Sequence, residues 1–183
     1  MRVIAGTRRS LPLKAPLGED TRPTQDRTKE TLFNVLQCYI EGSEFLDVFA
    51  GSGAISIEAL SRGASHATMI EKAPQALACI KSNLAFTKFT DNATVLECDF
   101  TTALDRLRGH RPFDIVFMDP PYMAGYEPSL FKILSCSDYV DTDTIIVLEA
   151  SLDTDISCIA ENGFEIYKIK KYKTNQHIFA RRA

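Results

Sequence analysis

The chain has 183 residues, of which 45% are hydrophobic, and its formal net charge at pH 7 is −3. This size and composition fit one globular domain, residues 1–183, with a sizeable core. They exclude a membrane-spanning protein, because no apolar run is long enough. The N-terminus lacks the apolar segment of a secretory signal, so we expect a cytoplasmic protein.

Charge is distributed unevenly along the chain. Residues 1–30 carry seven Lys or Arg against four Asp or Glu, and residues 165–183 carry six against one, so the ends are basic and the middle is acidic. Basic ends on an acidic chain are typical of a protein with a polyanionic partner. A solvated strand edge and a frayed tail would give the same pattern, so charge alone leaves the two interpretations level.

Five cysteines are scattered singly, with no C-x-x-C pair and no histidine at ligand spacing. This pattern predicts reduced thiols that lie mostly in the core. It predicts no metal site.

Residues 1–21 form a basic arm in this interpretation. Two short β-like segments, residues 2–4 and 11–13, lie within it. Too few of its residues are apolar for a core of its own, so we expect the arm to lie on the main domain, residues 22–183.

The segment QDRTKETLFNVLQCYI after Thr24 predicts a helix that Thr24 caps. One face of this helix carries the apolar residues Leu32, Phe33, Leu36 and Ile40. We expect that face to pack on the sheet. Arg22, Thr24 and Arg27 stand at the junction of loop and helix, where capping and surface charge explain them as well as substrate contact does.

A strand, a glycine turn and a helix follow in FLDVFAGSGAISIEALSRGA. The apolar run around Asp47 predicts a buried strand, and residues 50–53 predict a turn that leads into a helix. Two glycines let the backbone approach a ligand closely, and the start of the helix aims free N–H groups at it. A dinucleotide fingerprint needs a third glycine where Ser56 stands, so this loop alone identifies no cofactor.

Strands and helices then alternate. Further strands are predicted at residues 67–70, 94–97, 113–118 and 144–148, and helices at 74–86 and around 104–107, 130–134 and 156–159. The last two apolar runs, residues 164–172 and 176–180, are joined by three residues and must form an antiparallel hairpin. The sequence therefore predicts an α/β fold, with a mostly parallel seven-stranded sheet, helices on both faces and a C-terminal hairpin.

Acidic residues stand at or just after four predicted strand ends: Asp47, Glu71, Asp99 and Asp119. In open α/β sheets, ligands bind beyond the carboxyl ends of the strands, and an acidic residue at the second strand accepts hydrogen bonds from ribose hydroxyls. The four together fit a ligand with an amine, a ribose and an adenine. Any one of them alone is as readily a turn former or a helix cap. No Walker lysine follows the glycine loop, which argues against a nucleotide hydrolase of that class.

The most specific signal is Asp119-Pro120-Pro121-Tyr122. Two prolines fix the backbone, so that their carbonyls are held rigidly. These groups suit a planar heterocycle with an exocyclic amine. The Tyr122 ring would stack on the heterocycle, while Asp119 and the Pro120 carbonyl would accept the two amine hydrogens. A rigid turn before the next helix is the structural alternative.

At these residues the chain resembles the Rossmann-like methyltransferases that use S-adenosylmethionine. It is most similar to the RsmD family, bacterial enzymes that methylate guanine N2 of small-subunit ribosomal RNA. The similarity runs through MRVIAG, RPTQDRTKETLFN, LDVFAGSGAISIEALSRGA and DPPY. The second of these segments is the discriminating one, because the glycine loop and DPPY occur in many methyltransferases.

The resemblance implies a role for each candidate residue. The loop with Asp47, Ala50, Gly51 and Gly53 would bind the methionine part of S-adenosylmethionine, Glu71 the ribose, and Asp99 with Phe100 the adenine. Asp119, Pro120 and Tyr122 would hold the target guanine. The candidate RNA contacts are Arg8, Arg9, Arg22, Thr24, Arg27, Lys170 and Lys171. The family tends to have Gly, Gly and Arg where this arm has Ala5, Ser10 and Leu11.

We therefore expect methylation of the exocyclic N2 of a guanine in small-subunit (16S) ribosomal RNA, either naked or in a ribosomal particle. Methylation of adenine N6 or of a glutamine amide is the alternative within enzymes. An RNA-binding assembly factor without activity is the alternative outside them. A nicotinamide dehydrogenase fits least, because Ser56 replaces the third glycine.

Overall fold

Seven strands and six α-helices alternate in the computed structural model, which describes residues 1–16, 23–121 and 124–183, without the side chains of residues 23–25. The strands are β1 (Glu44–Asp47), β2 (His66–Glu71), β3 (Ala93–Glu97), β4 (Ile115–Met118), β5 (Ile145–Ser151), β6 (Phe164–Lys171) and β7 (Asn175–Arg182). The helices are α1 (Pro23–Ile40), α2 (Ala54–Ser61), α3 (Pro74–Thr87), α4 (Phe100–Arg106), α5 (Glu127–Ser135) and α6 (Ser157–Glu161). No helix in these ranges is both long and apolar enough to cross a membrane.

All seven strands form one sheet, in the order β3-β2-β1-β4-β5-β7-β6. The first five strands are parallel, and β7 is antiparallel to both β5 and β6. The predicted α/β fold with a C-terminal hairpin is confirmed. Chain order reverses between β1 and β4, and this reversal is the switch point at which ligands bind in such sheets.

Each face of the sheet is covered by its own set of helices. Phe45 and Phe117 point into a core shared with α1, α2 and α3, whereas Leu46 and Val116 point into a core shared with α4, α5 and α6. Central parallel strands are buried on both faces, which is why β1 and β4 appear in the sequence as short, nearly continuous apolar runs. The apolar stripe of α1 is buried as predicted.

Two details of the sequence interpretation are wrong. Helix α1 begins at Pro23, so Thr24 lies inside the helix instead of capping it. Proline suits the first helical turn because its φ is already fixed near the helical value. The cysteines are free, but only Cys158 is buried. Cys38 is exposed because it lies off the apolar stripe of α1, and Cys136 is exposed because it comes directly after the end of α5.

The N-terminal arm is held against the domain by a buried carboxylate, Glu58 of α2. Its two oxygens accept the backbone N–H groups of Ile4 and Ala5 at 2.7 and 3.0 Å. The same carboxylate pairs with Arg62 Nε at 2.7 Å and with Lys29 Nζ at 3.4 Å. Burial lowers the pKa of Lys29 below its ordinary value, and the neighbouring Glu58 opposes that shift. The arm is therefore fixed by a desolvated, charge-paired network.

We predict that Glu58→Gln destabilises the protein strongly. The amide keeps the size of the side chain but removes the charge that compensates two nearly buried cations, and breaking such a pair costs on the order of 3 kcal/mol. Urea unfolding followed by circular dichroism measures the effect.

The matched control is Glu165→Gln, which removes a carboxylate from a solvent-exposed pair with Arg181. Exposed pairs contribute little to stability. Equal losses in the two variants would contradict a structural role for the buried carboxylate.

Candidate active site at the carboxyl edge of the sheet

The carboxyl ends of β2, β1 and β4 lie side by side, and each carries one of the predicted acidic residues. Glu71 ends β2, Asp47 ends β1, and Asp119 directly follows β4. Asp99 follows β3, which lies on the far side of β2. The strand order thus brings four residues, far apart in sequence, to one edge of the sheet.

The glycine loop between β1 and α2 presents one open position. Gly51 has φ +54°, and a Cβ placed there would meet no atom within 4 Å. Gly53 has φ +77°, and its Cβ would lie 3.4 Å from the side chains of Ile80 and Met69. Gly51 is therefore where a ligand can approach the backbone closely, whereas Gly53 is needed for the turn itself and faces the core.

Asp47 is buried beneath this loop. Its Oδ2 accepts the hydroxyl hydrogen of Ser56 at 2.7 Å, and within the described residues Oδ1 has no hydrogen-bond partner. Burial raises the pKa of Asp47 to about 7, and the bond from Ser56 opposes the rise. Ser56 thus orients the carboxylate at the end of β1. From the sequence it was notable only because a dinucleotide fingerprint would have glycine at that position.

Glu71 is fixed by backbone donors. Its Oε2 accepts the N–H of Gly51 at 2.9 Å, and its Oε1 accepts the N–H groups of Lys72 and Ala73, both at 2.7 Å. A carboxylate has about four acceptor positions, so this one keeps capacity for a further donor such as a ribose hydroxyl. The bond to Gly51 also ties the end of β2 to the glycine loop.

Asp99 caps helix α4. It accepts hydrogen bonds from the backbone N–H and the hydroxyl of both Thr101 and Thr102. These donors hold the pKa of the carboxyl well below its ordinary value. The structure thus shows that Asp99 is a helix cap, the role that the sequence left open. The two threonines use most of the acceptor capacity of its carboxylate.

Three aromatic rings gather beside this edge. The ring of Phe100, at the start of α4, lies 5.4 Å from that of Phe49 and 5.0 Å from that of Tyr126. Phe49 and Tyr126 are stacked at 6.2 Å. The sequence indicated Phe100 alone, because the other two rings come from distant loops that only the fold brings together.

The Asp-Pro-Pro turn follows β4 as predicted. Asp119 and Pro121 are exposed, and Pro120 is buried. The Pro121 carbonyl accepts the N–H of Ala124 at 3.1 Å. Tyr122 lies outside the described residues, so its stacking role stays a prediction.

The candidate RNA contacts do not form one surface. Arg8 is tied to the domain, because its Nε donates to the Thr87 carbonyl at 2.7 Å and its guanidinium lies 5.1 Å from the centre of the Phe89 ring. Lys170 and Lys171 are exposed on β6, the edge strand four positions from β1. The remaining exposed candidates are Arg9 and Arg27. Arg22 and the side chain of Thr24 lie outside the described residues.

We predict a pH-dependent stability difference between the wild type and Asp47→Asn. The folded-state pKa of about 7 exceeds the ordinary 3.8, so the contribution of this group is complete below pH 4 and is lost as pH rises through 7. In that window the wild type loses up to about 1.4 kcal/mol per pH unit through this group. The neutral amide has no such loss. Urea unfolding of both proteins between pH 4 and pH 8 tests this, and parallel stability curves would contradict it.

Comparison with known proteins assigns the chain to a family. The family model described as "Conserved hypothetical protein 95" matches residues 1–181. The protein named "Ribosomal RNA small subunit methyltransferase D" of Haemophilus influenzae is 36% identical over 154 residues, which cover 84% of this chain and 80% of that protein.

Solved structures agree in fold. The structure of yhhF from Escherichia coli superposes with a TM-score of 0.84 at 31% identity, covering all of this chain and 97% of the other. A more distant structure, SMU.776 complexed with SAH, has a TM-score of 0.70 at 15% identity, covers 86% of this chain and 49% of that one, and shows the shared fold alone. Together with the Asp-Pro-Pro turn beside a glycine loop, these similarities show that the chain belongs to the RsmD family of ribosomal RNA small-subunit methyltransferases.

Proposed function

We propose that this protein transfers the methyl group of S-adenosylmethionine to the exocyclic N2 of a guanine in small-subunit ribosomal RNA. Family membership supports methylation of that RNA with this cofactor. One observation supports an amine as the group that receives the methyl. It is the Asp-Pro-Pro segment, in which Asp119 follows β4, the strand beside the one that ends in Asp47. The choice of guanine N2 over adenine N6 rests on the resemblance of the whole chain to the RsmD family.

The carboxyl edge offers a group for each part of the cofactor. The open face of Gly51 would admit the methionine part, and Glu71 has acceptor capacity for the ribose hydroxyls. The ring of Phe100, packed with two other aromatic rings, would form an apolar wall for the adenine. Asp99 would act on the adenine mainly by fixing the start of α4, which carries that ring.

Methyl transfer at this site would be a direct displacement. Bound S-adenosylmethionine would supply an electrophilic methyl group on its sulfonium sulfur. Transfer of that methyl to guanine N2 would leave S-adenosylhomocysteine, and N2 would lose one proton to solvent by way of the Asp119 carboxylate. Asp119 and the Pro120 carbonyl would accept the two amine hydrogens and aim the nitrogen lone pair at the methyl group. The contribution of the protein is therefore mainly positioning, together with stabilisation of the positive charge that develops on the nitrogen.

The RNA would approach from the same edge and contact exposed cations outside it. Arg9, Arg27, Lys170 and Lys171 are available for phosphate contacts, whereas Arg8 serves to hold the arm. These cations are spread over separate parts of the molecule, which suits a large folded RNA or an assembling ribosomal particle better than a short strand. A ribosomal substrate of this kind would be met in the cytoplasm.

Mapping of modified nucleosides tests the proposed function. Small-subunit ribosomal RNA from cells that lack the protein is digested and compared by mass spectrometry with RNA from cells that produce the wild type or Asp119→Ala. We expect one N2-methylguanosine to disappear in the deletion strain and to return only with the wild type. Loss of an N6-methyladenosine instead, or an unchanged pattern, would overturn the proposal.

We predict that Gly51→Ala weakens binding of S-adenosylmethionine at least tenfold. The added methyl group would occupy the open space beside Gly51 that the methionine part of the cofactor needs. Isothermal titration calorimetry measures the affinity. Gly109→Ala is the matched control, because Gly109 also has a positive φ and open space but precedes the amino end of β4. Equal weakening in both variants would mean that backbone strain, and not close approach, is responsible.

We predict that Asp119→Ala lowers kcat by at least a hundredfold with little change in KM for RNA. The carboxylate interaction strengthens as positive charge develops on the nitrogen, so its loss falls mainly on the transition state. Steady-state kinetics on the ribosomal substrate separate the two parameters. A variant with normal kcat and a raised KM would show that Asp119 only binds RNA.

A further inference from the structure

A second carboxylate, Glu149, stands next to Asp119 at the carboxyl edge. The last paired residues of β4 and β5 are Met118 and Leu148, so Asp119 and Glu149 are the next residues along two neighbouring strands. In the sheet, β5 lies on the side of β4 away from β1 and its glycine loop. Glu149 is thus placed on the side where the methyl acceptor, and not the cofactor, would lie.

Glu149 lies on the face of the sheet to which Phe117, two residues before Asp119, points. Phe117 and Val147 both point into the core shared with α1, α2 and α3. Side chains two residues further along a strand return to the same face. The ring of His177, the partner of Glu149 in β7, lies 6.4 Å from that of Phe117 on this face.

The carboxylate of Glu149 is held in place by a buried network. Its Oε2 lies 2.9 Å from Nε2 of His177, and its Oε1 accepts a hydrogen from Asn175 Nδ2. The other ring nitrogen of His177, Nδ1, lies 2.9 Å from the Tyr172 hydroxyl oxygen, so the ring links Glu149 to Tyr172. His177 is fully buried, but the Glu149 side chain remains 17% exposed.

The hydrogen-bond network around Glu149 is not needed to join the hairpin to β5. The ladder between β5 and β7 already joins the strands, and an apolar pair would fill the same space without burying polar groups. What the network provides is a carboxylate of fixed orientation on a partly exposed side chain, one strand away from Asp119. Neither the cofactor nor the Asp-Pro-Pro turn uses it.

We propose that Glu149 determines base specificity by accepting the N1–H of the target guanine, while Asp119 binds the N2 amine. The inference rests on the proposed function. Guanine presents N1–H and N2–H as adjacent donors, which suits two neighbouring carboxylates. Adenine has a lone pair at N1 beside its amine, so the same carboxylate would face it without a hydrogen bond. Glu149 would therefore select guanine over adenine.

The test replaces the target guanosine, once mapped, by 2-aminopurine riboside in otherwise identical RNA. This base keeps the 2-amino group but has no hydrogen on N1. With the wild type we expect kcat/KM to be about 5- to 150-fold lower for the analogue, the range typical of one good base contact. In Glu149→Gln the ratio should fall toward one, because the amide can donate to the N1 lone pair.

Glu165→Gln serves as the control, since that carboxylate lies on β6 and pairs with Arg181, and its ratio should equal that of the wild type. Tyr172→Phe removes only the hydroxyl that supports His177, and should lower the ratio partially. An unchanged ratio in Glu149→Gln overturns the inference. If that variant does not fold, an unchanged ratio in Tyr172→Phe overturns it instead.

The failure of this inference and that of the proposed function are distinguishable. If mapping shows no methylated guanosine N2, the proposed function is wrong and the specificity role falls with it. If the guanosine is found but the ratio does not respond to Glu149, only the specificity role is wrong.

Discussion

A single buried carboxylate joins parts of the molecule that the sheet alone would leave separate. Glu58 has no exposed surface, yet it carries the ion pairs with Lys29 of α1 and Arg62 after α2, and it binds two backbone N–H groups of the arm. A charge can be buried at this depth only when each partner is present. The position of the arm, the packing of α1 on α2 and the end of α2 are therefore coupled.

A second polar contact extends this coupling to the active site. Asn83 of α3 bonds to both the N–H and the carbonyl of Lys14 in the arm, at 2.8 and 2.9 Å, and also donates to the carbonyl of Ser52 in the glycine loop at 2.9 Å. One amide side chain thus connects the arm to the loop next to Gly51. The arm, suggested by its charge to bind RNA, also supports the geometry of the glycine loop.

The parts of the site that follow from the sequence are those that depend on local patterns. A short apolar run ending in Asp47 or before Asp119 predicts a buried strand and places its carboxylate at the edge. The cap at Asp99 could also have been predicted from the two threonines that follow it. Partners distant in sequence could not be predicted, because nothing local marks Ser56 as a donor to Asp47 or Glu149 as a neighbour of His177.

The charge pattern shows a different limit to what can be predicted from the sequence. Net positive charge at both ends suggested a polyanionic partner, but charge counts contain no information on where the ends lie. The fold places the arm on α2 and α3 and the last strands at the opposite edge, and it uses Arg8 for packing on Phe89. The lysines of β6 lie on an exposed edge strand, where charge commonly discourages pairing with another chain.

Because the arm binds residues far along the chain, its docking has consequences for folding. Several of its contacts join residues separated by 53 to 79 positions, and the most distant of these reaches Thr87 at the end of α3. Docking of the arm is therefore complete only when α3 is in place. Contacts of such long range form late and slow the folding of small domains. Completion of the glycine loop would then wait for the arm to dock on α3 through Asn83.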